Sequence, residues 1–206
     1  MEEQLQEKAV LVGLNITTNV KKIDDIDINE SMEELKELVK AAGAEVLASV
    51  IQNKPARDAA YFIGKGKVEE IRDYCHMLGA TMIVFNDELS GAHMRNIEDV
   101  TGLKVIDRTA LILDIFAQRA LSKEGKLQVE LAQLKYRMSR LQGLGTIMSR
   151  TGGGIGTKGP GEKKLETDRR HIKEQIYDLN DELKKIKKIR ETQREKRNKE
   201  SIPKVS

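Results

Sequence analysis

Met82-Ile83-Val84-Phe85, then Met94, Ile97 and Val100 at helical spacing ahead of Gly102, then Leu103-Lys104-Val105-Ile106: residues 82–106 read as strand, helix, strand. The same alternation extends toward the N-terminus. Ala9-Val10-Leu11-Val12 and Val46-Leu47-Ala48-Ser49-Val50-Ile51 are further short apolar runs of the kind that strands buried on both faces require. Between them, Ser31 with Glu34 forms a capping box ahead of Leu35, Leu38, Val39 and Ala42, and Gly43 stands where a helix would stop. Val68, Ile71, Cys75 and Leu78, ended by Gly79, supply another helical stripe, and Leu111, Ile112, Ile115 and Phe116 a last one. Alternating strands and helices predict an α/β subdomain over 1–120, with a small, mainly parallel four-stranded sheet and flanking helices.

After Ala120 the period changes. Leu127, Leu131, Leu134, Met138 and Leu141 recur at alternating spacings of four and three, and a second seam runs through Leu165, Ile172, Ile176, Leu179, Leu183 and Ile186. Two such seams either side of a glycine-rich break predict a long antiparallel α-helical hairpin, a coiled coil, over 121–200. The first arm, 122–142, would be about 30 Å long, and the tip loop would span 143–161.

Charge divides the chain at the same place. Residues 1–116 hold 13 Lys and Arg against 21 Asp and Glu, a net of −8, whereas 117–206 hold 23 against 12, a net of +11. Such asymmetry points to a polyanionic partner for the second part, nucleic acid above all, with a solvated helix surface as the plainer alternative. No apolar run is long enough to span a bilayer, and the N-terminus is acidic where a secretory signal would be basic, so the expected location is cytoplasmic. Cys75 is the only cysteine, which excludes an internal disulfide and a cysteine zinc site.

The tip segment carries the candidate chemistry. Residues 143–161 contain eight glycines in nineteen positions, far more chain than a hairpin turn needs. Gly152, Gly153, Gly154, Gly156 and Gly159 leave backbone N–H groups unshielded, and Arg150 and Lys158 flank the triple glycine with positive charge, so an anion could approach closely. A linker without fixed structure is the plainer reading, but Arg169, Arg170 and His171 follow on the next helix and favour a nucleic-acid tip. Aromatics make up only 3% of the chain and none lies in this segment, so phosphate contacts rather than base stacking would supply affinity.

Enzymatic signatures are missing from the sequence. A P-loop needs Gly-Lys followed by Ser or Thr, and here Gly64-Lys65, Gly66-Lys67 and Gly125-Lys126 are followed by Gly66, Val68 and Leu127, so this stretch is no GTPase by itself. Gly64, Lys65, Gly66 and Lys67 do precede a helix, where free N–H groups attract phosphate, and they form a candidate nucleotide site beside the simpler reading of a turn. His76, His93 and His171 are scattered and lack metal-ligand spacing, and Cys75, on an apolar stripe, reads as core. Asp87, Glu88 and Asp107 fall near strand ends, where open α/β sheets bind ligands, although Asp107 could equally cap the following helix.

Ser149-Arg-Thr-Gly-Gly-Gly-Ile-Gly-Thr-Lys-Gly-Pro-Gly-Glu162 and Leu165-Glu-Thr-Asp-Arg-Arg170 closely resemble the signature of the HflX GTPases. The likeness continues in Tyr61-Phe-Ile-Gly-Lys-Gly-Lys67, Val105-Ile-Asp-Arg-Thr109, Leu113-Asp-Ile-Phe-Ala117 and Glu124-Gly-Lys-Leu-Gln-Val-Glu-Leu-Ala-Gln-Leu134. Met138-Ser139 departs from the usual Leu-Pro, and Lys163-Lys164 from the usual Thr-Gln. The resemblance implies an N-terminal region followed by a GTP-binding domain whose first strand would open at 201–206, with GTP and Mg2+ belonging to that domain. It further implies binding to the large ribosomal subunit and its rRNA through the glycine-rich loop, and the splitting or rescue of stalled ribosomes under stress. ATP binding by this region, and restraint of the GTPase domain by the hairpin, are the alternatives it leaves open.

Overall fold

The computed structural model describes residues 6–17, 27–151 and 160–199, with backbone alone for 142–151, 160–163 and 198–199. Ten elements follow in order: β1 (Lys8–Ile16), α1 (Ile28–Ala41), β2 (Glu45–Lys54), α2 (Lys65–Leu78), β3 (Met82–Phe85), α3 (Gly91–Thr101), β4 (Lys104–Asp107), α4 (Arg108–Arg119), α5 (Lys123–Thr151) and α6 (Pro160–Lys199). The four strands form one parallel sheet in the order β2-β1-β3-β4. Every connection within it is a helical crossover, as parallel pairing demands.

Alternate residues of the strands feed two cores. Val10, Val12, Leu14, Ile83, Phe85 and Val105 face α2 and α3, meeting Val68, Ile71, Cys75 and Ile97. Ala9, Leu11, Met82 and Val84 face α1 and α4, meeting Met32, Leu35, Val39, Leu111 and Ile115. Burial on both faces is why these strands read as unbroken apolar runs rather than alternating ones. Cys75 is fully buried, and loss of solvation pushes its thiol up to about 11, so it is a core residue.

Two sequence expectations change here. Helix α1 starts at Ile28, capped by Asp27 Oδ1, which accepts from Asn29 N at 3.0 Å; Ser31 and Glu34 lie inside the helix and form no capping box. The helix gains its extra turn because Asp27 is an equally good cap and Ile28 and Met32 add apolar packing below it. Phe116, expected on the apolar face of α4, is 55% exposed, whereas Leu111 and Ile115 are buried.

The long helices also depart from expectation. Helix α5 runs on through Gly143 and Gly145 to Thr151, and α6 opens at Pro160, so the ends of the expected 143–161 loop are helical. A glycine costs a helix interior only about 1 kcal/mol, and extending an already packed helix needs no new nucleus. Pro160 fits a first helical position, where its missing N–H is no loss. Helices α5 and α6 pack together, and α5 also packs on α3 and α4, burying Leu127, Leu131, Leu134 and Ile172. Ion pairs of 2.7 Å join Lys123 to Glu182 and Glu124 to Arg190.

Candidate functional site

Parallel strands deliver their C-terminal ends to one edge of the sheet, and the polar groups of the subdomain concentrate there. Asp107, at the end of β4, is completely buried and saturated. Its Oδ2 accepts from Leu89 N at 3.0 Å and pairs with Arg140 Nη2; its Oδ1 accepts from Ala110 N at 2.9 Å and from the Tyr136 hydroxyl at 2.8 Å. The Arg140 guanidinium lies 4.1 Å from the centre of the Tyr136 ring, and its Nη1 is 3.1 Å from Glu88 Oε1. Burial, and then the hydrogen bond to Asp107, raise the Tyr136 hydroxyl well above its ordinary range, keeping it a donor. With both carboxylate oxygens engaged in this way, Asp107 fastens α5 to the sheet. Gly91, at the start of α3, permits the approach: a Cβ there would lie 2.3 Å from the Arg140 carbonyl oxygen.

A second cluster closes the same edge over β3. Arg108 Nη1 donates to Ser31 Oγ at 3.2 Å and Asn86 Oδ1 at 3.1 Å, while Nη2 pairs with Glu34 Oε2 at 2.5 Å. Asn86 Nδ2 completes the ring by donating to Ser31 Oγ at 2.9 Å. Asp87 pairs with Arg57 at 3.4 Å, and burial raises its carboxyl against the pull of that guanidinium. Thus Asp87, Glu88 and Asp107 each face an arginine. Among the described residues there is no group of three His, Cys, Asp or Glu side chains placed to hold a metal ion.

The Gly64-Lys65-Gly66-Lys67 turn enters α2 with Gly64 as its cap. The Gly64 N–H donates to Gln52 Oε1 at 2.9 Å, and the lysines turn back on their own helix, Lys65 to Glu69 at 3.9 Å and Lys67 to Glu70 at 2.7 Å. The turn before it is firmly built. Asp58 accepts from Ala60 N and Tyr61 N, bonds that hold its carboxyl below the usual range, and Phe62 is buried with a left-handed φ of 67°. His93 supports that turn through Nε2, 3.2 Å from the Ala59 carbonyl. A carbonyl only accepts, so Nε2 carries the proton and Nδ1 is left to accept from Ser90 N at 3.4 Å.

Of the residues expected to meet nucleic acid, Arg169 and Arg170 are exposed on α6, where they line an open depression with Glu166, Thr167 and Lys173. Arg150 belongs to the last turn of α5, its side chain outside the described residues. Gly152, Gly153, Gly154, Gly156, Lys158 and Gly159 likewise lie outside them.

Comparison with known proteins sets these features in a family. Residues 29–117 match the GTP-binding GTPase N-terminal family, and residues 119–197 match the GTP-binding GTPase middle region. A protein of Caldanaerobacter subterraneus named GTPase HflX is 50% identical over 201 residues, 98% of this chain. The chain belongs to the HflX GTPase family. The GTPase HflX of Escherichia coli is 44% identical over 200 residues, 97% of the chain. These matches cover 45% of either relative, so the chain spans about half the length of the curated HflX proteins it matches. Among solved structures, that of SsGBP in complex with GDP superposes with a TM-score of 0.64 at 25% identity, over 91% of this chain and 46% of its own.

Within this HflX chain, sequence reasoning missed Tyr136 and Arg140 as partners of Asp107, and Arg108 as the hub for Ser31, Glu34 and Asn86. Arg108 had a signal, since it stands in the Val105–Thr109 motif beside Asp107. Tyr136 and Arg140 had a fainter one: they are four residues apart and so share one helix face, off the Leu131, Leu134, Met138 seam.

Proposed function

We propose that this chain is the RNA-binding half of an HflX GTPase, docking on the rRNA of the large ribosomal subunit when stalled ribosomes are split or rescued. In this reading α5 and α6 act as a coiled-coil hairpin presenting the glycine-rich segment at its tip. The observation that carries it is where α5 is fastened. Arg140 is held at the sheet edge by Asp107 and Glu88, and eleven more helical residues follow to Thr151, about 16 Å of rise. A net charge of +11 resides on residues 117–206, against −8 on the sheet part, so the projecting element is the one suited to phosphate. GTP, Mg2+ and hydrolysis would belong to the GTP-binding region of the whole protein.

Sedimentation with purified large subunits across a salt series tests this. Binding should weaken steeply with salt and should be lost when Gly153 and Gly154 are both changed to Ala. Equal binding by both chains would move the contact to the helix faces, and failure of both to pellet at low salt would sink the proposal.

A further inference from the structure

The two edge strands of the sheet differ. β4 is four residues long, bounded by Lys104 and Asp107, and α5 is fastened at its end. β2 runs ten residues and pairs with β1 alone among the described strands. Leu47 bulges where the register shifts between Ala9 and Val10, which leaves residues 48–54 as a regular free edge. Proteins blunt long edges with charge, proline or short strands, and residues 48–53 carry neither charge nor proline. None of the ten residues of β2 is buried, whereas most of β1 and all of β3 are. Beside the strand lies an open groove against α2, whose lining includes Val50, Ile51, Ile71, Tyr74 and Met77, and Met77 is 72% exposed. Lys54 turns toward β1, its carbonyl accepting from Thr17 N at 2.9 Å. Backbone groups alternate sides along a strand, so Asn53, Ile51 and Ser49 aim their N–H and C=O groups away from the sheet.

We infer that the free edge of β2 takes the same edge of a second copy of this chain, paired antiparallel about a twofold axis at Ile51. Backbone geometry and charge select that occupant. In an antiparallel pair, only residues that aim outward from both strands exchange hydrogen bonds. Centring on Ile51 meets that condition: Ile51 stands opposite Ile51 of the second copy, and Ser49 opposite its Asn53, an apolar pair between two polar ones. The regular stretch 48–54 is symmetric about Ile51, so the pairing uses all of it. Lys54, the one charge in that stretch, then falls opposite Ala48 of the second copy, whereas a parallel arrangement would set Lys54 against Lys54. Such an axis is perpendicular to the sheet, so both α2 helices lie on one face and the grooves holding Tyr74 and Met77 adjoin across it. Glu70 and Asp73 at the groove margin are paired within their own helix, to Lys67 at 2.7 Å and Arg72 at 2.8 Å, which limits repulsion between the copies.

Pairing through β2 uses no part of α5 or α6, so it stands or falls independently of RNA binding. Light scattering on the whole chain, from about 10 µM to about 1 mM, covers the range of small interfaces. The mass should rise from 23.2 kDa toward twice that value. Ser49→Pro removes an outward N–H and leaves the ladder to β1 intact, so it should hold the chain at the single mass with an unchanged circular dichroism spectrum. Ile51→Cys tests the register, because Cα atoms of an antiparallel hydrogen-bonded pair lie about 5.5 Å apart, within disulfide reach. On mild oxidation it should form a covalent dimer about tenfold faster than Leu121→Cys, an exposed thiol off the strand that relies on chance encounter. Cys75 is buried and takes no part. A single mass at every concentration would overturn the inference and leave the edge to an extended peptide of another protein. So would a doubled mass that survives Ser49→Pro in a folded chain, which would put the contact on another face. If Ser49→Pro unfolds the chain, the cysteine rates decide, and equal rates at positions 51 and 121 overturn the pairing.

Discussion

The Tyr136 hydroxyl donates to Asp107 Oδ1 across 2.8 Å, joining a helix of the middle region to the last strand of the N-terminal sheet. With Arg140 on the other carboxylate oxygen, this contact sets how the long helices stand on the sheet.

Removing either partner should therefore cost more than an ordinary surface change. Tyr136→Phe deletes one hydrogen bond to a charged acceptor and should lower stability by about 1.5–3 kcal/mol. Asp107→Ala leaves the mostly buried Arg140 guanidinium without its main partner and α4 without its cap, and should cost about 3–5 kcal/mol. Urea denaturation followed by circular dichroism measures both; an Asp107→Ala chain as stable as the parent would show that the contact does not hold the helix.

Two glycines should respond in opposite directions to the same substitution. Gly91→Ala places a methyl 2.3 Å from the Arg140 carbonyl oxygen, a backbone atom that cannot step aside, and should destabilise by about 1–3 kcal/mol. Gly66→Ala, in the first turn of α2 with nothing within 4 Å of the new carbon, should be neutral or stabilising by up to about 1 kcal/mol. Thermal melts of the two variants decide whether close approach or helix propensity governs these sites.

Acid should weaken the fold through His93. Burial lowers its pKa below the ordinary histidine value, against smaller raising contributions from the Ala59 carbonyl and Asp58. The unfolded chain then takes up its proton first as pH falls, so stability is full above the unfolded pKa and declines as pH falls through about 6.5 and below. His93→Gln should flatten the urea midpoint over that window, and an unchanged slope would assign the acid sensitivity elsewhere.

Cys75 should resist modification. A fully buried thiol raised to about 11 is almost wholly protonated at pH 8, so a disulfide reagent should react with it only as fast as the core opens. Adding denaturant should speed the reaction by orders of magnitude, and a fast native rate would mean that α2 detaches readily.

Most of the sheet subdomain was legible because parallel strands advertise themselves. Val10, Val12, Ile83 and Phe85 face one core while Ala9, Leu11, Met82 and Val84 face the other, so β3 and the centre of β1 are unbroken apolar runs against which the helical stripes pack. That long helices follow the sheet was legible from the seam of Leu127, Leu131 and Leu134. Their ends were not, since Gly143 and Gly145 carry loop propensity that an already formed helix overrides.

The residue pattern alone determined the alternation of strands and helices, the change of period after Ala120, and the concentration of positive charge in the second part, because each is a periodicity or a sum along the chain. Only tertiary structure decided that Ser31 and Glu34 serve Arg108 rather than cap a helix, that Asp107 is spent on Tyr136 and Arg140, and that Phe116 meets solvent. Those outcomes depend on groups 29 to 77 residues apart along the chain, and a polar side chain becomes a cap, a fastener or a free carboxylate according to which donor the fold brings within about 3 Å.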